Sequence, residues 1–589
     1  MTSPSRDPVP YDDAWKRSAL EDFRTFLKIR TISQEGPHTG AYREGVAFLK
    51  SVVERRLCSL RPDIEIFVEE FVEKKPLLFV HIPGAPAGDT ISTGNKSREA
   101  GGEVEVGDAH QQEECHSNKV RVQAEQDLPI TVDEGTYQPD ILLLNSHYDV
   151  VPAMEDKWDV DPFGAVVVDD EKLYGRGTQD MKCVCIQYVL ALEKILRSVR
   201  ATSSSAEAVD HHAASKSNSD EIENDYRRKK ERLRPIWLSF VPDEEIGGKD
   251  GMHAFLCSTF YKNHFTAVTT TGKVRSRVAL GLDEGLANET DNFTVFFGER
   301  NPWWIMVKAT GPTGHGSRFI RDTAAQKLIT LANKALQFRI EEERKLAYAP
   351  VDPDTGECGC KHAQAKKLGD VTTLNLTMLK AGVETSPGVY ALNVIPVEAS
   401  AGFDVRISPL LKVADFRALL DSWVAEFDGT VTWSFAPGTV PADEHFLTPV
   451  TARPDLFGEQ DEEEQGEDSS FYCEEAPDLH PPSERQARLD QNRHKRQSLH
   501  WWRVFSKTLN TLGYELDAEV FPAATDSRFL RQLRIPAFGF SPMRRCPILL
   551  HEHNEYIPVS CFWEGVGVYE SLLRELAVVP ETGDNGLPA

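Results

Sequence analysis

The sequence lacks several features that define large classes of protein. No apolar run reaches the roughly 18–20 residues of a membrane-spanning helix, which excludes an integral membrane protein. The first residues, MTSPSRDPVPYDDAWKR, contain no apolar segment typical of a secretory signal peptide, so we expect none. Basic residues are in deficit, with 66 Lys and Arg against 92 Asp and Glu, a net charge of −26. A general nucleic-acid binder needs a basic face, so we expect neither nucleic acid nor membrane as a partner.

Cysteine is sparse as well, with ten in 589 residues, which is not the density of a disulfide framework. Because no export signal is evident, we expect a cytosolic, cytoplasmic protein with reduced thiols. One cluster of soft metal ligands stands out, namely Cys358, Cys360 and His362 in the segment ECGCKH. It has no evident fourth ligand nearby. We therefore favour a reduced, exposed loop over a metal site at this position.

Four polar segments interrupt the chain, at about 86–138, 200–233, 348–367 and 453–498. They contain few aliphatic residues and carry blocks of mixed charge. Such segments cannot bury enough apolar surface to offset the conformational entropy lost on ordering. We predict that they are surface insertions between core elements, and that they contribute little to stability.

Between the insertions, strand patterns alternate with helix patterns. Short apolar runs at 141–144, 236–241 and 278–282 predict buried strands, and apolar residues at helical spacing predict a helix over 179–196. This alternation favours an α/β fold with crossover helices. In such sheets, ligands gather at the carboxyl ends of the strands.

Residues 300–438 show a different order of elements. Their pattern predicts strand–helix–strand–strand–helix–strand, which is typical of a ferredoxin-like module. On either side of this segment, the α/β pattern holds. We therefore predict a small domain at 300–438, inserted into a larger discontinuous domain that is formed by residues 1–299 and 439–589.

Side chains of the metal-ligand type follow the predicted strands and precede the predicted helix. They are His147, Asp149, Asp180, Glu244, Glu245, Asp283, Glu284 and His551. Taken singly, such residues are more often helix N-caps, structural histidines or solvated carboxylates. Taken together at one sheet edge, two imidazoles and several carboxylates fit a pair of Zn²⁺-like ions that share a bridging carboxylate.

Two pairs of these residues allow finer expectations. His147 and Asp149 are two apart in extended chain and point the same way, so Asp149 would hydrogen-bond the imidazole or lie just behind the site. Of the adjacent Glu244 and Glu245, one can bind metal while the other acts as general base toward the bound water. The residues alone leave open which glutamate has which role.

Ten short segments carry a resemblance to a known family. They are NSHYDVVP, GRGTQDMK, VPDEEIGG, LDEGLANETDNFTVFFGERNPWW, GHGSRF, NVIP, FDVRI, PAATDSRF, GFSPM and LLHEHNE. In these segments the chain resembles the M20 family of dinuclear zinc amidohydrolases and peptidases, and especially its aminoacylase branch. The resemblance implies a zinc-peptidase-like, three-layer α/β catalytic domain. It also implies that the inserted ferredoxin-like module is a lid and dimerisation domain, which makes a homodimer the expected assembly.

The same resemblance implies a ligand set for two zinc ions per subunit. Asp180 would bridge the two ions. Glu245 and His551 would complete one site, and His147 and Glu284 would complete the other.

Further roles follow from the resemblance. Glu244 would be the general base and Asp149 the supporting acid, while His315 would reach the partner subunit's site and stabilise the oxyanion. The candidates for gripping substrate are Arg406, Arg528 and Asn393. For Arg406, which lies on a predicted strand of the small domain, a structural ion pair is an equal alternative.

The activity implied by the resemblance is hydrolysis of an N-acyl-L-amino acid to a carboxylate and a free L-amino acid. A metal-bound hydroxide would attack the amide carbon, with Glu244 as its base. A dipeptidase or carboxypeptidase on the same scaffold is the first alternative, because a peptide presents the same scissile amide. A non-catalytic scaffold that binds partners through its acidic insertions is the second. We disfavour the scaffold because every expected ligand, and Glu244, is present.

Overall fold

A computed structural model describes residues 13–84, 130–132, 139–207, 234–347, 367–437, 439, 441–458 and 482–578. The fold is mixed α/β, as the alternating sequence pattern predicts. The cluster of Cys358, Cys360 and His362 lies outside the described residues. Within the described ranges, no helix is long and apolar enough to cross a membrane.

The described α-helices range from single turns to 30 residues. They are Asp13–Lys28, Gly36–Thr39, Ala41–Val53, Lys182–Glu207, Ala254–Cys257, Thr259–Phe265, Ala324–Ala347, Val413–Ala425, Pro454–Phe457, Pro482–Thr511, Ser527–Gln532 and Val559–Leu576. The first helix shows why such segments fold locally. Asp13 lies in its first turn and Lys28 in its last, which complements the helix dipole, while Phe23 and Phe26 are buried on one face.

The described residues outside the segment 300–438, called here the larger unit, contain an eight-stranded sheet. In spatial order its strands are Glu65–Val72, Lys75–Ile82, Ile236–Val241, Ile141–His147, Val278–Asp283, Ala537–Gly539, Phe293–Glu299 and Leu516–Phe521. The four strands from Ile236–Val241 to Ala537–Gly539 run parallel to one another. Their carboxyl ends therefore meet at one edge of the sheet.

Both faces of this sheet are covered. Along the strand Ile141–His147, Leu142 and Leu144 belong to one apolar cluster, whereas Ile141 and Leu143 belong to another on the opposite face. Side chains alternate between the faces of a strand, so a strand buried on both faces is apolar throughout. This is why the central strands are the clearest elements in the sequence.

The described residues of the segment 300–438, called here the smaller unit, form a second sheet. Its strands, in spatial order, are Thr373–Ala381, Glu398–Ile407, Asn301–Thr310 and Val431–Phe435, and all are antiparallel. Helices Ala324–Ala347 and Val413–Ala425 pack on one face of this sheet. Along Asn301–Thr310, buried residues alternate with more exposed ones, as expected for a sheet with helices on one side only.

Smaller strands complete the described structure. They form the ribbon Gly314–His315 with Val394–Ile395, the hairpin Glu384–Ser386 with Val389–Tyr390, the three-stranded sheet Val166–Val168, Lys172–Tyr174 and Tyr556–Pro558, and the three-stranded sheet Ile130–Val132, Thr266–Thr269 and Val274–Ser276.

The predicted extent of three polar insertions is wrong. Helix Lys182–Glu207 extends into the predicted insertion 200–233. Ile130–Val132, inside the predicted insertion 86–138, is a strand that pairs in parallel with Thr266–Thr269. Helix Pro482–Thr511 begins well inside the predicted insertion 453–498, where His494 and Ser498 are buried. Polar composition hid this part of the helix, because among its described side chains before Leu499 only His494 and Ser498 are buried.

Candidate metal centre

The candidate ligands converge at the carboxyl edge of the parallel strands. His147 is the last residue of strand Ile141–His147, and Glu284 directly follows strand Val278–Asp283. Glu244 and Glu245 begin a short 3-10 turn just after strand Ile236–Val241. Asp243, immediately before this turn, has a positive φ of 62°, and Gly247 follows it with a φ of 102°. The backbone thus reverses sharply and presents both glutamates beside the neighbouring strand end.

Two further ligand residues come from loops above the same edge. Asp180 lies in the turn that precedes helix Lys182–Glu207, and His551 lies in the segment before strand Tyr556–Pro558. His551 has a φ of 62°, a conformation that is costly for a residue with a side chain. Such strain at a buried cluster of acids is typical of a functional site.

These five side chains form two groups of three that share Asp180. The first consists of His147, Asp180 and Glu284, and the second of Asp180, Glu245 and His551. In the first group, Nε2 of His147 lies 3.0 Å from Oδ1 of Asp180 and 3.3 Å from Oε2 of Glu284. In the second, Nε2 of His551 lies 3.2 Å from Oδ2 of Asp180 and 2.9 Å from Oε2 of Glu245. The two oxygens of Asp180 therefore face different histidines, as a bridging carboxylate requires.

Asp149 lies behind the ligands and is fully buried. Nδ1 of His147 is 3.0 Å from the backbone oxygen of Asp149 and 3.5 Å from its carboxylate. The carboxylate also accepts hydrogen bonds from Ser33 Oγ at 2.8 Å and from the backbone N–H groups of Glu244 and Glu245 at 3.2 and 3.4 Å. Asp149 thus orients both the first histidine and the turn that carries the two glutamates.

Electrostatics at the centre are dominated by buried negative charge. Burial and the charge of Asp180 raise the pKa of Glu284 well above its ordinary value, and they raise that of Glu245 to about 7. Burial and the charge of Glu284 likewise raise the pKa of Glu244. For His147, burial opposes the charged ring, but the neighbouring carboxylates prevail and raise its pKa well above the ordinary value. Positive charge placed among these groups is therefore stabilised.

The donor set fits divalent metal ions. Each group offers one imidazole nitrogen and carboxylate oxygens from two residues, and these donor atoms lie within 4.8 Å of one another. Imidazole and carboxylate are ligands that zinc and similar ions accept, and three protein ligands leave a position open for water or substrate.

Glu244 stands apart from its neighbour Glu245. Within the described residues, neither group of three includes it. Its side chain is nevertheless largely buried, and its Oε2 lies 4.0 Å from Nε2 of His147. The structure thus places Glu244 beside the centre without making it part of the ligand groups.

His315 lies on a separate element, the two-stranded ribbon that joins Gly314–His315 to Val394–Ile395. Its ring is exposed, and Nδ1 accepts the backbone N–H of Ser317 at 3.2 Å. Because Nδ1 accepts this hydrogen bond, Nε2 is the ring nitrogen that can act as a donor. Asn393 is adjacent, because its backbone oxygen accepts the N–H of Gly316 at 2.7 Å.

The two arginine candidates have different surroundings. Arg406 forms a two-pronged ion pair with Asp404, with distances of 2.8 and 3.2 Å, which is the structural alternative that the sequence left open. Arg528 instead donates from Nη2 to the backbone oxygen of Gly247 at 2.7 Å. Arg528 is therefore the arginine that contacts the Glu244–Gly248 turn.

Sequence reasoning missed two residues that hold the ligand loops in place. Glu555 is fully buried and accepts hydrogen bonds from the turn that carries Asp180, and Gln179 binds the segment that carries His551. The signals in the sequence were the second of two acids in HEHNE and an amide beside Asp180. Such residues are far more often exposed, so composition gave no reason to select them.

The family comparison agrees with this arrangement of fold and site. The chain belongs to peptidase family M20/M25/M40, whose model matches residues 143–206 and 224–575.

Among curated proteins, the chain is similar to Aminoacylase-1 of Dictyostelium discoideum, with 37% identity over 437 residues, 74% of this chain and 82% of that protein. It is also similar to Aminoacylase-1 of Homo sapiens, with 35% identity over 439 residues, 74% of this chain and 80% of that protein. Among solved structures, the M20 family metallo-carboxypeptidase Sso-CP2 from Sulfolobus solfataricus is 14% identical, with a TM-score of 0.49. That likeness covers 97% of this chain and all of the other.

Proposed function

We propose that this chain is a metal-dependent amidohydrolase that converts N-acyl-L-amino acids to a carboxylate and a free L-amino acid. The observation that carries the proposal is the pair of ligand groups that share Asp180. The substrate class is supported by the 37% identity to a protein named Aminoacylase-1, over 82% of its length.

The bound metal in this proposal is two Zn²⁺ ions per subunit. His147, Asp180 and Glu284 would hold one ion, and Asp180, Glu245 and His551 the other. When bound, the two ions supply polarisation of a water molecule and of the scissile carbonyl group.

Glu244 is the proposed general base. It lies within reach of the centre, outside both ligand groups, and its backbone is fixed by Asp149. One of its oxygens takes the proton of the attacking water and then delivers a proton to the nitrogen of the leaving amino acid. Asp149 supports this role as a positioning residue, since it holds the backbone of the turn in place.

Residues of the smaller unit complete the proposed site. We assign residues 300–438 as a ferredoxin-like lid and dimerisation domain, because the four strands of its main sheet and the two helices packed on them follow the strand–helix–strand–strand–helix–strand order of that module. In a homodimer, Nε2 of His315 would donate to the carbonyl oxygen of substrate in the partner's site.

We assign substrate binding to Arg528 and Asn393. We favour Arg528 over Arg406 for the substrate carboxylate, because Asp404 already engages the guanidinium of Arg406. The larger unit, residues 1–299 and 439–589, forms the catalytic domain in this proposal. We retain the cytosol as the compartment, on the ground of the sparse cysteines.

The test is release of free methionine from N-acetyl-L-methionine by the full chain, with and without a chelator. A panel of dipeptides is run beside it, because a dipeptidase or carboxypeptidase is the remaining alternative on this scaffold. Chelator-sensitive release of methionine, faster than dipeptide cleavage, is the expected result. Faster cleavage of the dipeptides would replace the proposal with that alternative, and inactivity of the metal-loaded chain on both would favour a non-catalytic scaffold.

A further inference from the structure

The side chain of Glu555 is tied to the turn that carries Asp180. Its Oε2 accepts hydrogen bonds from Nη1 of Arg176 at 2.7 Å and from the backbone N–H of Gly177 at 3.1 Å. Its Oε1 accepts the backbone N–H of Gln179 at 2.7 Å and the hydroxyl of Thr178 at 3.2 Å. Both carboxylate oxygens thus bind the four residues that directly precede Asp180.

Gln179 makes the reciprocal contact, from the Asp180 turn to the segment that carries His551. Its side-chain nitrogen donates to the backbone oxygens of Pro547 at 3.0 Å and Tyr556 at 2.7 Å. Its side-chain oxygen accepts the backbone N–H of Leu549 at 3.1 Å. One buried amide therefore joins both ends of the loop that holds His551.

The backbone adds two further links between these segments. The N–H of Gly175 donates to the backbone oxygen of Glu555 at 3.0 Å, and Nη2 of Arg176 donates to the backbone oxygen of His551 at 3.3 Å. His551 itself is half exposed and has a left-handed backbone conformation, which the local sequence does not favour. Its position is therefore imposed by the surrounding contacts.

We propose that Glu555 and Gln179 are positioning residues. They hold the turn that carries Asp180 and the loop that carries His551 in a fixed relative position, so that both side chains are already arranged to bind metal. The inference rests on the proposed metal function. Partners that orient metal ligands typically change metal affinity about 10–100-fold when they are removed.

The proposal predicts an asymmetry between the two ions. Glu555 and Gln179 position two ligands of one group, namely Asp180 and His551 in the group that also contains Glu245. They position only one ligand, Asp180, of the group that also contains His147 and Glu284. Loss of either positioning residue should therefore weaken metal binding by the first group more than metal binding by the second. A residue that merely stabilised the fold would not distinguish between them.

The test uses Co²⁺ as the probe, added to the metal-free full chain and followed by calorimetry and visible absorption. In a His147→Ala background, binding reports the group that contains His551, and in a His551→Ala background it reports the other group. Glu555→Gln is the informative change, because either orientation of the new amide sets an NH₂ group against a backbone N–H. Gln179→Met is the second variant, since it removes the amide at similar volume.

The matched control is Glu193→Gln. Glu193 is also buried and also paired with an arginine, Arg56 at 2.8 Å, but it lies on helix Lys182–Glu207, outside both ligand groups. Thermal unfolding of the metal-free proteins shows how much stability each substitution costs. The control should lose comparable stability while its affinity for Co²⁺ stays unchanged.

We expect Glu555→Gln and Gln179→Met to weaken Co²⁺ binding about 10–100-fold in the His147→Ala background, and clearly less in the His551→Ala background. Unchanged affinity, equal weakening in both backgrounds, or an equal effect of Glu193→Gln would overturn the inference while leaving the proposed function intact. Failure of the unsubstituted chain to bind Co²⁺ would remove the proposed metal centre together with the inference, and is a distinguishable result.

Discussion

Asp149 accepts the backbone N–H of Glu244 at 3.2 Å, so a buried carboxylate behind the centre fixes the backbone of the proposed general base. The same carboxylate accepts the N–H of Glu245 at 3.4 Å. Two neighbouring glutamates are thus presented by one anchored turn, yet only Glu245 belongs to a ligand group. Substitution of each glutamate separately can therefore distinguish the general base from the metal ligand.

The first prediction separates the two glutamates. Glu244→Ala should keep its metal but lose at least about 10²–10⁴-fold in turnover, because it removes only the general base. Glu245→Ala should lose metal as well as activity. Elemental analysis of the purified variants, beside methionine release, distinguishes the two outcomes. If Glu244→Ala is the variant that sheds zinc, the assigned roles are reversed.

The second prediction concerns Asp149. Asp149→Ala should lower turnover about 10–100-fold, because it releases both the turn of Glu244 and the imidazole of His147. Ser33→Ala is the control. Ser33 donates to the same carboxylate at 2.8 Å, and its removal leaves the hydrogen bonds that join Asp149 to the turn and to His147 in place. Steady-state kinetics should show a loss mainly in kcat for Asp149→Ala and a small effect for Ser33→Ala. An equal loss in both variants would contradict the positioning role.

The central strands, and the position of metal-type side chains at their ends, could be predicted from the sequence because they obey simple rules. Strands buried on both faces are continuous apolar runs, so their ends are sharp. His147, Glu245 and Glu284 follow such runs closely, and parallel pairing of three strands brings their carboxyl ends together. Residues with metal-binding or catalytic side chains are easiest to identify where they follow the clear end of a buried strand.

Other features depend on long-range contacts that leave little trace in the local sequence. The buried face of helix Pro482–Thr511 includes His494, whose Nε2 lies 3.3 Å from the backbone oxygen of Leu447. Glu555 acts on a turn almost 380 positions earlier in the chain. Neither residue differs in type from an ordinary exposed one, so only the tertiary structure identifies it.

The third prediction follows from the corrected extent of one insertion. Deleting residues 461–480, replaced by a short Gly-Ser linker, should change the melting temperature by only a few degrees, because the segment is too polar to contribute a core. Extending the deletion to residue 498 removes buried His494 and Ser498 and should prevent correct folding. Circular dichroism and gel filtration report both results. Tolerance of the longer deletion would show that this part of the helix is dispensable.

The last prediction tests whether His315 serves the site of a second subunit. His315→Ala removes a proposed oxyanion donor, which is worth about 10²–10³-fold in turnover, and Glu244→Ala removes the proposed base. Each variant alone should therefore be nearly inactive.

Mixed, dissociated and reassociated, the two variants should regain about a quarter of the unsubstituted activity. Random pairing makes half of the dimers mixed, and each mixed dimer holds one intact site of its two, as isologous two-fold assembly requires. Ser317→Ala is the companion variant. It removes the hydroxyl that lies 2.7 Å from Nδ1 of His315 and leaves Nε2, the proposed donor, in place. A mixture that reassociates but stays inactive would exclude a shared site. Full activity of His315→Ala alone would show that His315 has no part in the reaction.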